Sequence, residues 1–231
     1  MIADRVAAVR ERIARAAGRA GRPAGDVTLV AVSKTFPAAT IREAFAAGLR
    51  DFGENKVQEA EEKIAGLHDL RSAGARFHFV GHLQGNKAKR AVPLFDSIHS
   101  VDSEELARRL ARMAEEQGIS LHVLVQVDLA GEATKHGVEE AGLLAVLEAV
   151  RGSTHLHPDG LMILPPFAED PEASRPHFRR LRELRDIALS RDLLQGSHLS
   201  MGMSHDLEVA VEEGATMVRV GTAIFGERRK D

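Results

Sequence analysis

The sequence predicts an α/β fold: a (β/α)8 TIM barrel of parallel strands with an extra N-terminal helix. Three observations predict it. Short β-branched or apolar runs alternate with helix-period segments from residue 27 to residue 221, the pattern of repeated βα units. The length of 231 residues is close to the ~250 usual for such a barrel. Two of the strand segments, Asp51–Asn55 and Ser97–Asp102, are too short and polar for the centre of an open sheet. A doubly wound open sheet would alternate in the same way and is the second choice. No Gly/Ser-rich or Pro-rich linker interrupts the alternation, so one domain over residues 1–231 is expected.

Each element has its own reason. Ile2, Val6, Val9 and Ile13 fall three and four apart, which predicts a helix over Ile2–Ala17, ended by Gly18, Gly21 and Pro23. Val27–Ser33 is a run of apolar or small residues leading straight into Lys34, a strand buried on both faces. A helix over Ala39–Ala47 stops at Gly48. The strand Asp51–Asn55 precedes a charged helix from Val57 to about Leu70, and the strand Arg76–His82 follows. Lys87–Leu94 is helical and closed early by Pro93; Ser97–Asp102 is a strand. Ser103 has the chemistry of an N-cap, with Glu104 and Glu105 in the first turn of a helix that ends at Gly118. Leu121–Leu129 is expected to be the longest strand, followed by a helix over Glu139–Val150. Pro158 breaks the strand Leu156–Leu164, and Pro165-Pro166 ends it. A helix over Pro171–Ser190 with an arginine-rich outer face leads to a strand over His198–Met203. A helix over Asp206–Glu213 and a last strand over Thr216–Gly221 complete the chain.

Composition excludes several classes. A net charge of −3 leaves no electrostatic footprint for nucleic acid. Cysteine is absent, so disulfides, thiolate ligands and a cysteine nucleophile are excluded. No run approaches the ~18 apolar residues of a membrane helix. The Arg-rich start contains Asp4 and Glu11 and no serine, unlike a transit peptide, and a cytoplasmic protein is expected. Tyrosine and tryptophan are also absent.

In a barrel the site lies at the C-terminal ends of the strands. Those ends are Lys34, Asn55, His82, Asp102, Leu129–Gly131, Pro165, Ser200–Ser204 and Gly221-Thr222. Alternation puts Thr28, Val30, Val32 and Lys34 on one face. A lysine there is either a snorkelling strand end or an amine whose pKa is lowered by burial, able to form a Schiff base. On the last strand Val218 and Val220 suit the helix layer, so Arg219 points inward. There it needs a ligand or an inward carboxylate such as Asp102. The same rule places His78, Val80 and His82 inside, and Phe77 and Phe79 outside. The ends of the last two strands offer hydroxyls, glycines and backbone N–H groups, the usual phosphate site of these barrels. His155-Leu156-His157 has the spacing of a metal motif but precedes its strand, on the wrong face of the barrel, and no metal is expected. Lys87, Lys89 and Arg90 read as a solvated face. Lys135 reads as a surface lysine, with a second holder of the ligand or a gate as the alternative.

Six ordered blocks between residues 27 and 226 carry a resemblance. They are Val32-Ser33-Lys34-Thr35, Phe52-Gly53-Glu54-Asn55, Phe79-Val80-Gly81-His82-Leu83-Gln84 with Asn86-Lys87, Gly160-Leu161-Met162, Leu199-Ser200-Met201-Gly202-Met203-Ser204, and Val218-Arg219-Val220-Gly221. The chain resembles the pyridoxal phosphate homeostasis protein family, whose fold is similar to the barrel domain of alanine racemase. The resemblance implies pyridoxal 5′-phosphate (PLP) on Lys34. It implies phosphate contacts at Ser200, Gly221 and Thr222, with the neighbouring Met201 and Gly202 in the same block. It also implies Arg219 facing the pyridine nitrogen, and Asn55, Val80 and His82 near the ring. It departs at Leu207, where many members carry phenylalanine, and in a tail without a frequent terminal tyrosine.

Residue chemistry bears on what such a protein does. Arginine stays protonated and disfavours protonating the pyridine nitrogen, which weakens the ring as an electron sink. Racemisation needs a second proton donor, a tyrosine in alanine racemases, and this sequence has none. It also ends at Asp231, soon after the last strand, so no further domain is expected to close the site. The expectation is a monomeric PLP carrier or regulator that supplies apo-enzymes, without efficient catalysis. A low-activity amino-acid racemase is the alternative.

Overall fold

The computed structural model describes residues 1–131 and 136–227. Eight parallel strands close on themselves: β1 (Thr28–Val32), β2 (Asp51–Glu54), β3 (Arg76–Phe79), β4 (Ser97–Val101), β5 (Leu121–Asp128), β6 (Leu156–Ile163), β7 (His198–Ser200) and β8 (Met217–Val220). Each pairs with its sequence neighbours, and β8 pairs with β1 in the register Val30↔Arg219, which closes the barrel. The fold class is the one expected. A separate two-residue strand, Val138–Glu139, pairs in parallel with the end of β5 at Val127 and Asp128.

The helices are α1 (Ile2–Arg19), α2 (Ala38–Ala46), α3 (Val57–Ala65), α4 (His68–Ser72), α5 (Ala88–Ala91), α6 (Glu104–Gln117), α7 (Leu143–Arg151), α8 (Arg175–Ser190), α9 (Leu207–Glu212) and α10 (Thr222–Phe225). Ser103 caps α6 through its hydroxyl, which accepts from Leu106 N at 3.2 Å, and Gly118 ends that helix at φ 62°. The N-terminal α1 buries Val6, Val9 and Ile13 and packs against α9 and α10. Its Arg12 forks onto Glu208 at 2.6 and 2.8 Å, so the first helix is tied to α9, which follows β7.

Strand alternation divides the core in two. Leu29, Ala31, Phe52, Phe77, Phe79, Ile98, Val123, Leu161, Leu199, Val218 and Val220 face outward and form one apolar cluster with the helices. The opposite positions fill the barrel, and many are polar: Asp51, His78, His99, Gln126, Ser200 and Arg219 are all buried. Phe77, Phe79 and His78 therefore lie on the faces expected.

Several boundaries differ from the expectation. The charged segment after β2 is two helices, because Gly66 ends α3 and the chain restarts at His68. Pro158 does not break β6; the register passes from Val123↔Pro158 to Leu124↔Gly160, so a bulge absorbs the missing N–H. β5 and β6 are equally long. β1, β3 and β7 stop short of Lys34, His82 and Met203, because the strands diverge at the C-terminal face and loops take over. The arginine-rich face of α8 is partly spent inward: Arg175, Arg179 and Arg182 converge on buried Glu213 at 3.2, 3.0 and 3.0 Å.

Gly160 marks the tightest approach of two barrel strands. A Cβ there would lie 1.9 Å from the carbonyl oxygen of His198, its partner on β7. Gly160→Ala is expected to cost at least the ~1–3 kcal/mol typical of overpacking, because backbone cannot step aside as a side chain can. A lowered urea midpoint with unchanged m-value checks this.

Candidate functional site

At the C-terminal ends of the strands a cavity of about 450 Å³ is lined by Val32, Lys34, Asn55, Val80, Gly81, Leu164, Met203, Ser204, His205, Arg219, Gly221 and Thr222. A cleft of about 530 Å³ lies at the opposite end, between Arg10, Thr28, Gly48, Asp51 and Arg76. The first is the functional candidate. It has an amine and a guanidinium on a wall that mixes apolar side chains with Asn55, Ser204, His205 and Thr222, and it lies where barrel enzymes place their chemistry.

Lys34 is half-buried and sits in a turn just past β1. Its neighbours are held from below. Ser33 is fully buried, and its hydroxyl donates to Glu54 Oε1 at 2.7 Å. The Lys63 ammonium donates to the Ser33 carbonyl at 2.9 Å and to both oxygens of Glu54 at 2.8 and 2.9 Å. Lys63 also pairs with Glu59 at 2.7 Å, and Glu59 accepts the backbone N–H of Thr35. Thr35 takes φ 70°, a left-handed conformation uncommon for a β-branched residue. Lys34 is thus gripped on both flanks by one cluster, Glu54–Lys63–Glu59. Burial pushes the Glu54 carboxyl up, and Lys63 pulls it back only in part.

Arg219 is 4% exposed. Its Nη1 donates to Ser200 Oγ at 2.7 Å and its Nη2 to the Ile163 carbonyl at 2.8 Å. Both partners are neutral. Asp102 instead pairs with His82 at 3.2 Å, so the inward ion pair considered for Arg219 is not the one formed. Burial lowers the guanidinium to about 10 while Asp206 opposes the shift, so it remains a cation at neutral pH. Asn55 Oδ1 is buried and has no hydrogen-bond partner among the described residues. An orphaned acceptor in a cavity wall is what a bound polar group would satisfy.

Of the residues singled out in sequence, Lys34, Asn55, Val80, Arg219, Gly221 and Thr222 share this cavity. Four do not line it. Ser200 is fully buried below it, with its hydroxyl bonded to His99 and Arg219. Met201 faces outward into the apolar layer, since β7 alternates. Gly202 takes φ 89°, and a Cβ there would meet Ala210 at 2.5 Å, so its part is to turn the chain. His82 lies past the end of β3, where alternation no longer holds, and stacks on His136 at 3.5 Å beside Asp102. Ligand-type atoms of His82, Asp102 and His136 fall within 4.8 Å of one another, but the rings lie 9° from parallel, so their lone pairs run side by side instead of converging. Lys135 lies outside the described residues. Sequence reasoning passed over Leu164, Met203 and His205 as wall residues and gave Ser204 no separate part, although Met203 and Ser204 belong to a block already noted. It also missed Lys63: its pairing with Glu59 at i,i+4 is local, but the partners that tie it to the site, Glu54 and Ser33, lie 9 and 30 positions away.

Residues 5–229 match the family described as alanine racemase, N-terminal domain. The pyridoxal phosphate homeostasis protein of Aquifex aeolicus is 45% identical over 226 residues, covering 98% of each chain. That of Pseudomonas aeruginosa is 47% identical over 228 residues, covering 98% of this chain and 96% of its own. The structure of PipY from Synechococcus elongatus with PLP bound superposes with a TM-score of 0.85 at 42% identity, over 98% of this chain and all of that one. Alanine racemase from Corynebacterium glutamicum shares the fold at 19% identity, with a TM-score of 0.70, and extends well beyond it: this chain covers 62% of its length.

Lys63→Met should leave Glu54 buried without its cation, at a cost of about 3–5 kcal/mol. Glu54 already has a raised pKa, and losing Lys63 raises it further. The penalty of the ionised form is therefore absent below the ordinary carboxylate range and grows as pH rises through the raised value. Denaturant melts at several pH values should show the deficit of the variant shrinking as pH falls.

Proposed function

We propose that this chain, which belongs to the pyridoxal phosphate homeostasis protein family, binds PLP in the cavity at the top of the barrel. There it holds the aldehyde on Lys34 and releases it to apo-enzymes, acting as a buffer of a reactive cofactor. The observation that carries this reading is the convergence of three groups on one cavity of about 450 Å³: the Lys34 amine, the Arg219 guanidinium and the unpartnered Asn55 carbonyl oxygen. The volume falls within the ~300–1,000 Å³ of small-ligand sites.

When bound, PLP supplies an aldehyde that condenses with amines and a ring that withdraws electrons. The residues present fit it. Lys34, held by Ser33 and Thr35, presents the amine. Gly221 and Thr222, at the start of α10, present backbone N–H groups and a hydroxyl to a dianion, with Ser204 beside them. Arg219, a cation in the cavity wall, would face the ring and would disfavour protonation of the pyridine nitrogen. No membrane-crossing helix occurs among the described residues.

The same wall argues against efficient catalysis. Besides Lys34 and Arg219, the titratable side chain in the cavity wall is His205, whose Nε2 is bonded to the Glu169 carbonyl at 3.0 Å. Tyrosine is absent from the sequence. Arg219 as a fixed cation disfavours the carbanion that racemisation needs.

Lys34→Ala is expected to abolish the visible band of the PLP-loaded protein, and borohydride reduction with peptide mapping should place the label on Lys34. A label on Lys87 or Lys135 would overturn that assignment. Gly221→Val should weaken PLP binding more than pyridoxal binding, since charge-assisted bonds to the phosphate are worth ~1.5–3 kcal/mol each; equal losses would move the phosphate elsewhere. Racemisation and transamination assays, run beside PLP transfer to an apo-enzyme, should show transfer and at most trace turnover. Turnover at about 1–10³ s⁻¹ on one amino acid would make the protein an enzyme.

A further inference from the structure

The structure assigns Asp51, His78, His99 and Ser200 a role as positioning residues. They form a one-way hydrogen-bond relay through the barrel that aims the Arg219 guanidinium at the cavity. The proposal rests on the reading that PLP occupies that cavity.

The relay begins at the N-terminal end of the barrel. Arg76, 59% exposed, forks onto Asp51 at 2.8 and 2.9 Å. Asp51 Oδ1 is 2.9 Å from His78 Nε2; His78 Nδ1 is 3.0 Å from His99 Nε2; His99 Nδ1 is 2.9 Å from Ser200 Oγ. Ser200 Oγ accepts from Arg219 at 2.7 Å. The links come from β2, β3, β4, β7 and β8, so one chain of bonds crosses the barrel from its lower rim to the floor of the cavity.

Its direction is decided at the Asp51 end. A carboxylate only accepts, so His78 must carry its proton on Nε2. Its Nδ1 is then an acceptor, and His99 must donate from Nε2. His99 Nδ1 in turn accepts, and the available donor is the Ser200 hydroxyl. Ser200, having donated to His99, offers its lone pairs to Arg219. Every donor meets an acceptor, and both imidazoles are neutral Nε2–H tautomers. The opposite direction fails at two points. His99 donating from Nδ1 would leave the Ser200 hydroxyl proton with no acceptor at a fully buried position. His78 would then have to carry a second proton, which places another cation in a barrel that already holds Arg219.

The electrostatics agree. Burial alone would raise the Asp51 carboxyl, but hydrogen bonds from His78 and Arg76 outweigh it and hold it below the usual range. Burial, then the nearby His78 and Arg219, keep His99 well below its ordinary pKa. Arg219 therefore meets a fixed acceptor. Its other anchor, the Ile163 carbonyl at 2.8 Å, is backbone. Two fixed acceptors define a planar fork, and the remaining donors of the guanidinium are turned toward the cavity it lines.

The test is ¹⁵N NMR of the histidine rings in the PLP-free protein, with absorbance of the loaded protein beside it. At about pH 8 both His78 and His99 are expected as Nε2–H tautomers, the assignment the hydrogen bonds require. Asp51→Asn, which can donate to His78, should reverse or mix both tautomers. Ser200→Ala should weaken PLP about two- to tenfold, the worth of one hydrogen bond, and shift the pH titration of the visible band; Ser200→Thr, which keeps the hydroxyl, should restore both. Melting curves report whether each variant is folded. A purely packing role would move the melting temperature and leave the titration alone, and that result overturns the relay. So does a His99 ring protonated on Nδ1 while borohydride still labels Lys34. A label away from Lys34 removes the ring from Arg219, and overturns the reading of the cavity and the relay's purpose together.

Discussion

The top of this barrel depends on a carboxylate without access to water. Glu54 is fully buried at the end of β2 and is tolerated because Lys63 grips both of its oxygens. The same ammonium reaches the carbonyl of Ser33, and Glu59 on the same helix holds the N–H of Thr35. One cluster thus fastens β1, β2 and α3 around the residue between Ser33 and Thr35. A left-handed Thr35 carries strain of order 1–3 kcal/mol, which persists only where surrounding bonds over-determine it.

The two layers of the core divide the work. The outer layer, between strands and helices, is apolar and supplies the hydrophobic drive to fold. The inner layer holds Asp51, His78, His99, Ser200 and Arg219, and contributes little to that drive. Buried polar groups are acceptable only when each is satisfied. Here most are satisfied by one another across strands far apart in sequence. Among the described residues the Ser97 and Ser100 hydroxyls are the exceptions beside Asn55. A polar interior accounts for the inward Asp51 on β2, His99 on β4 and Ser200 on β7.

A lysine and a buried arginine on one wall set the character of the site. Arg219 keeps a positive charge even though burial lowers it to about 10. Such a cation would disfavour protonating a pyridine ring held against this wall, which weakens the ring as an electron sink. The barrel covers 62% of the length of an alanine racemase that shares its fold. The shared fold alone does not carry the shared chemistry.

The sequence by itself determined the alternation of strands and helices, the outward valines beside an inward Arg219, and Lys34 and Asn55 as strand-end residues at the cavity. Those are consequences of a period of two along a strand and of the rule that barrel sites lie at strand C-termini. Only the tertiary structure decided depth and partnership. Ser200 points inward as its parity requires, yet lies below the cavity floor, because strand tilt and stagger set height in a barrel and neither is written in any single strand. His82 falls past the end of β3, where alternation has no meaning. Lys63 reads as one more charge on a charged helix until β2 brings Glu54 beneath it. The relay from Asp51 to Arg219 joins residues up to 168 positions apart, and only closure of the barrel puts them in line.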